Sequence, residues 1–150
     1  MADISAFPAI KNVIDRGTNI LSYTAGAAIK AGQVVAINAT DMTVQPAVTG
    51  TTNAVVGVAM YGVASGALVA VAGPGCIVYV VNGKDGTNIA AGKVVKAYGT
   101  TTAGTVVEQA LTGGVAPDYV VGVLLEGIVA TSAGAFGRCL ITLGMITPAA

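Results

Sequence analysis

Ile29-Lys30-Ala31-Gly32-Gln33-Val34-Val35 returns sixty residues later as Ile89-Ala90-Ala91-Gly92-Lys93-Val94-Val95, with five of the seven positions identical. Each copy has the form of a turn feeding a strand. The Ala-Gly pair supplies a corner that tolerates positive φ, and the β-branched pair after it suits a pleated, half-buried surface. A second matching element follows each copy: Val55-Val56-Gly57-Val58 and then Val120-Val121-Gly122-Val123, trailed by Gly62 and Gly127. Duplicated units in preserved order predict one body made of two similar parts.

Working outward from these units, runs rich in Val and Ile predict strands at Met42 to Val44, Ala54 to Met60, Ala67 to Val71, Cys76 to Val81, Val106 to Leu111, Val120 to Glu126 and Arg138 to Leu143. Turn chemistry separates them at Gly73-Pro74-Gly75, Asn82-Gly83, Asp85-Gly86, Gly113-Gly114 and Ala116-Pro117-Asp118. The expected fold is therefore all-β, a compact domain of residues 25–150 with parts at about 25–85 and 86–145. Residues 1–24 match neither copy and hold four of the fourteen charges, Asp3, Lys11, Asp15 and Arg16, which suggests an extended N-terminal arm. Phe7, Ile10, Ile14 and Arg16 are its candidate contacts to another subunit or a partner surface, because buried apolar anchors dominate interface energies.

Composition narrows the function. The 150 residues are 54% hydrophobic yet only 5% aromatic, so the apolar content is mostly Ala and Val beside 21 glycines. Charged residues make up 9%, against roughly a quarter in an average domain, and the seven basic and seven acidic side chains cancel. Without a basic cluster there is nothing to neutralise a phosphate backbone, so no nucleic-acid partner is expected. Residues 1–8 carry Asp3 and no basic stretch ahead of an apolar one, unlike a signal for secretion.

No charge occurs between Asp41 and Lys84, and Ala54 to Ala72 is apolar enough to span a bilayer on hydropathy alone. Its Val and Gly content, the lack of flanking Lys or Arg, and Glu126 inside the corresponding stretch of the second copy favour strands instead. No membrane partner is expected.

The chain has no histidine, which removes the usual general base and the commonest metal ligand. Cys76 and Cys139 each sit in an apolar run and read as buried free thiols, although Arg138 beside Cys139 could lower its pKa; a disulfide between them is the other option. The carboxylates are scattered singly. Glu108 and Glu126 could assemble only through the fold, and without Trp the chain lacks the usual sugar platform. No Gly-rich segment has the Lys-Ser/Thr ending of a phosphate loop. Asp85-Gly86-Thr87-Asn88 near Asn82 offers calcium-type oxygens, but hairpin turns use the same residues. The expectation is no catalytic residue, no metal and no cofactor. Tyr23, Tyr61, Tyr79, Tyr98 and Tyr119 are the material for a small-ligand or glycan module, the competing reading.

The order Ala28-Ile29-Lys30-Ala31-Gly32-Gln33-Val34-Val35, Val55-Val56-Gly57-Val58-Ala59, Ala64-Ser65-Gly66-Ala67 and Gly75-Cys76-Ile77-Val78 resembles tailed-phage capsid cement, or head decoration, proteins over about residues 25–145. The resemblance implies a β-barrel or β-clip domain, commonly a homotrimer, on the virion exterior. Its partner would be the major capsid protein, with neighbouring subunits clamped by adhesion rather than catalysis.

Overall fold

A computed structural model describes residues 6–39, 41–49, 53–84, 87–109, 118–129 and 134–146. Among them are twelve strands: β1 (Ile14–Arg16), β2 (Ile20–Thr24), β3 (Val34–Ile37), β4 (Val44–Pro46), β5 (Val55–Ala59), β6 (Leu68–Ala72), β7 (Ile77–Val81), β8 (Val94–Tyr98), β9 (Thr105–Glu108), β10 (Asp118–Leu124), β11 (Phe136–Ile141) and β12 (Met145–Ile146). No helix occurs among the described residues. The turns expected at Asp85-Gly86, Gly113-Gly114 and Ala116-Pro117 lie outside those residues.

The strands form two antiparallel sheets. One runs β2-β6-β5-β3-β4; the other runs β1-β7-β11-β10-β8-β9, with β12 on β10. Leaving out β1 and β12, the two orders match strand for strand. Matching contacts extend beyond the strands: Ile29 bridges Val63 as Ile89 bridges Ile128, and Ala25 bridges Val44 in parallel as Asn82 bridges Val106. The parallel bridges join the chain just past β2 to β4 and the chain just past β7 to β9. Each sheet therefore curls until its far strands meet at one point.

The repeated heptads explain much of this geometry. Gly32 has φ of 87° and Gly92 of 85°, and Gln33 N–H donates to Lys30 O as Lys93 N–H donates to Ala90 O, at 3.2 and 3.3 Å. These are tight turns whose third residue needs positive φ. Each corner then ties to the facing strand, Gly32 N–H to Ala59 O at 2.8 Å and Gly92 N–H to Leu124 O at 2.7 Å. The glycines of the second element admit a neighbouring strand: Gly57 opposes Val35, Gly122 opposes Val95, and a Cβ on either would lie 1.9 Å from a carbonyl oxygen, of Ala72 or Leu140.

Alternation sorts the side chains. Along β11, Gly137, Cys139 and Ile141 are buried, while Phe136 and Arg138 face out. The larger core gathers Val34, Val55, Val58, Val78, Val80, Val95, Val121, Leu124 and Ile141; a smaller one gathers Ala25, Ile29, Val35, Val44, Ala59, Val69 and Val71 on the five-stranded sheet. Most members are Val or Ala, which fill narrow space with little rotamer freedom to lose.

The N-terminal segment departs from the expected arm. β1 pairs with β7 and β2 with β6, so Ile14–Arg16 and Ile20–Thr24 are strands of this chain's own sheets. The sequence hid them because β1 is only three residues long and ends on Asp15 and Arg16, while four of the five residues of β2 are exposed, so neither shows apolar alternation. The apolar stretch Ala54 to Ala72 is β5, a connection and β6. No described helix is long and apolar enough to cross a membrane.

Candidate functional site

Three of the four expected contact residues are used inside the chain. Phe7 is 6% exposed and packs with Val81 and Ile10. Ile10 lies over the first corner, where the absent side chain of Gly32 leaves room: a Cβ there would be 2.5 Å from Ile10 Cδ1. Val13 belongs to the larger core, and the half-buried Ile14 pairs with Val78. Phe7, Ile10 and Ile14 thus fasten residues 7–14 to the body. Arg16 alone is presented to solvent, its Nε 3.8 Å from Asp15 Oδ2.

The chain's chemistry collects instead on the outer face of β1, β7 and β11. Register sets Tyr79 opposite Arg138 and Val81 opposite Phe136. The Tyr79 and Phe136 rings meet edge to face at 87° with centroids 5.9 Å apart. Arg138 lies over the Tyr79 ring, Cζ 5.7 Å from its centroid, and donates from Nε to the Tyr79 hydroxyl at 3.2 Å. Its Nη1 is 3.4 Å from Glu126 Oε2, and its Nε 3.8 Å from Asp15 Oδ2. The hydrogen bond and electrostatic attraction to Tyr79, then Asp15 and Glu126, raise the Arg138 pKa above its ordinary value, so this guanidinium keeps its charge throughout the working range. The patch is an organised polar and aromatic surface. Sequence reading missed it because residues 15, 79, 126, 136 and 138 meet only through strand register.

Groups that might do chemistry are otherwise occupied or isolated. Glu108 pairs with Lys93 at 3.5 Å and Glu126 with Arg138, so a different cation holds each of the two carboxylates. Cys76 and Cys139 are free and buried. Burial pushes the Cys139 thiol up to about 12, the reverse of what neighbouring Arg138 suggested in sequence, because alternation turns the two side chains to opposite faces. Such a thiol is a poor nucleophile. Among the described residues no three or more His, Cys, Asp or Glu side chains gather to hold a metal.

Of the calcium candidate, Asp85 and Gly86 lie outside the described residues. The Asn82 amide is committed: Nδ2 donates to Lys84 O and Thr87 O, both at 2.9 Å, and Oδ1 accepts from Lys84 N–H at 3.1 Å. Among the tyrosines, Tyr61 stands exposed, and Tyr23 lines a shallow apolar groove with Leu21, Val56, Val71 and Leu143.

No known family model matches this chain, and no curated protein matches it in sequence.

Proposed function

We propose that this chain is a non-enzymatic structural protein that binds the outside of an icosahedral capsid and cements neighbouring major capsid subunits by non-covalent packing. The observation that carries the reading is the surface. Leu21, Met42, Leu68, Leu125, Val129 and Phe136 are exposed large apolar side chains on a chain with net charge of zero. Where such side chains lie together, as Phe136 does against Tyr79, they mark surfaces that meet other proteins. The motif order of the sequence resembles cement proteins.

By mass action, a protein that binds only the assembled shell stabilises it over its separated subunits. Copies of the chain, as homotrimers in the resemblance, would bridge seams and oppose internal pressure. The natural contact face is the patch around Tyr79, Phe136 and Arg138, where aromatic and Arg side chains of the type enriched at interface hot spots stand together. The glycan-module reading has the same patch to use, but there the Tyr79 ring is already in contact with Arg138 and Phe136.

The test is co-sedimentation of the purified protein with expanded, undecorated shells, followed by their resistance to rupture. Saturable pelleting with the shells and later rupture on heating are the expected results. Protein that stays in the supernatant at every ratio, or shells that rupture unchanged, would overturn the reading.

A further inference from the structure

The sequence marks Asn82-Gly83 as turn chemistry, but in the fold the pair closes the seven-stranded sheet. Asn82 follows β7, is fully buried and bridges Val106 of β9 in parallel. All of its polar groups are engaged. Its N–H donates to Ala135 O at 2.8 Å, and its carbonyl accepts from Gly134 N–H at 3.2 Å. Its side-chain Nδ2 donates to Lys84 O and Thr87 O, and Oδ1 accepts from Lys84 N–H. One residue thus ties the end of β7 to β9, to the chain just before β11, and to Lys84 and Thr87.

The five-stranded sheet makes the same closure without an asparagine. There Ala25 holds the place of Asn82, bridging Val44, and Gly26 holds the place of Gly83. Both closures need the glycine: a Cβ on Gly26 would collide with Thr43 Oγ1, and one on Gly83 with Thr105 Oγ1 and, at 2.5 Å, with Tyr98 Cδ1. The asparagine answers a separate need, the hydrogen bonds that hold Lys84 and Thr87. Together the two needs write an Asn-Gly pair. Of the chain's six asparagines this one alone precedes glycine; the other five precede Val, Ile or Ala. With no Cβ on the following residue, the backbone nitrogen meets least hindrance in reaching the side-chain amide.

We propose that Asn82 is a deamidation site that the fold keeps latent, and that conversion there bars the chain's return to the native state. In the reaction Gly83 N gives up its proton and attacks Asn82 Cγ. The new N–C bond displaces Nδ2 as ammonia and leaves a five-membered succinimide. Water then opens the ring at either carbonyl, giving aspartate or, with the main chain rerouted through the side chain, isoaspartate. Folding holds each reactant apart: Gly83 N–H donates to Val106 O at 3.0 Å, and the Asn82 amide is hydrogen-bonded at both ends and closed to solvent. Conversion therefore waits on opening of this closure. The product cannot rebuild it. A carboxylate at position 82 offers no donor to Lys84 O and Thr87 O and would bury a charge beside two carbonyl oxygens, and isoaspartate also lengthens the main chain. Lasting exposure of the unfolded chain thus becomes irreversible. This stands whether or not the chain binds shells.

The experiment holds the full chain at one mildly alkaline pH, folded in buffer and unfolded in guanidinium chloride, and follows each asparagine by peptide mass spectrometry. In denaturant Asn82 should convert first, ahead of the other five. In buffer it should convert more than about a hundredfold more slowly, as a reaction does that waits on an opening present in fewer than about one molecule in a hundred. Chains aged in denaturant and returned to buffer should regain native circular dichroism only in proportion to the fraction that still carries Asn82. Asn82→Asp, which has the ordinary backbone of one product, should lower the unfolding midpoint or fail to fold. Equal rates in buffer and denaturant, another asparagine converting first in denaturant, or aged chains that refold as fully as fresh ones would overturn the proposal. So would Asn82→Asp with an unchanged midpoint.

Discussion

Gly57 and Gly122 show how much a single missing side chain determines here. Gly57 has φ of 146°, and a Cβ on either residue would sit 1.9 Å from a facing carbonyl oxygen, far inside any real contact. The backbone would have to move, so Gly57→Ala is expected to cost about 3 kcal/mol or more, combining overpacking with left-handed strain. Gly66→Ala provides the contrast. Gly66 has φ of 88° but no atom within 4 Å of the added Cβ, so only the backbone term of about 1–2 kcal/mol applies. Urea unfolding of both variants checks the difference, and equal losses would refute the close-approach account. The sequence showed Val-Val-Gly-Val twice, but a strand glycine signals a bulge or close approach without naming what approaches.

Among the elements, the N-terminal strands are the instructive case. Residues 7–14 hold the body through Phe7, Ile10, Val13 and Ile14, so Phe7→Ala should lower stability by about 3–5 kcal/mol, the usual loss for a buried aromatic ring. A thermal melt unchanged by the substitution would mean that this segment is not fastened as described. Those same apolar residues suggested external contacts in sequence because nothing local reveals whether an apolar side chain meets its own domain or another. Most strands after residue 40 were legible to within about two residues, since Val-rich runs between glycine turns leave few other conformations; β12 was not expected, β9 ends at Glu108, and the expected continuation to Leu111 lies partly outside the described residues. Tyr79, Arg138 and Phe136 were not legible as a patch. Cross-strand register is a long-range property, and neither β7 nor β11 alone contains it.

At the scale of the whole molecule, the absence of histidine predicts a flat stability profile through neutral pH. Two departures bound it. Hydrogen bonds from the Thr43 hydroxyl and N–H lower the Asp41 pKa, so its contribution is present above the ordinary carboxylate range and lost as pH falls through the lowered value. Burial raises Cys139 to about 12, so the unfolded chain releases that proton first, and stability declines as pH rises from about 9 toward 12. Unfolding midpoints should therefore coincide from about pH 5.5 to 8 and fall on either side, at acid pH near the carboxylate range and at alkaline pH above the ordinary thiol value. A midpoint that moves sharply between pH 6 and 7 would contradict this, because no side chain here ordinarily titrates there.

By itself the sequence determined the class of the fold, the positions of most strands and the turns at Gly32 and Gly92. Period-two burial, β-branched runs and glycine corners are local properties that act wherever the chain goes. Tertiary structure alone decided that Ile14–Arg16 and Ile20–Thr24 join the sheets, that Phe7 faces inward, and that Arg138 meets Tyr79, Asp15 and Glu126. Each of these depends on which strand lies beside which, and that choice is made by the packing of the whole body rather than by any one stretch of it.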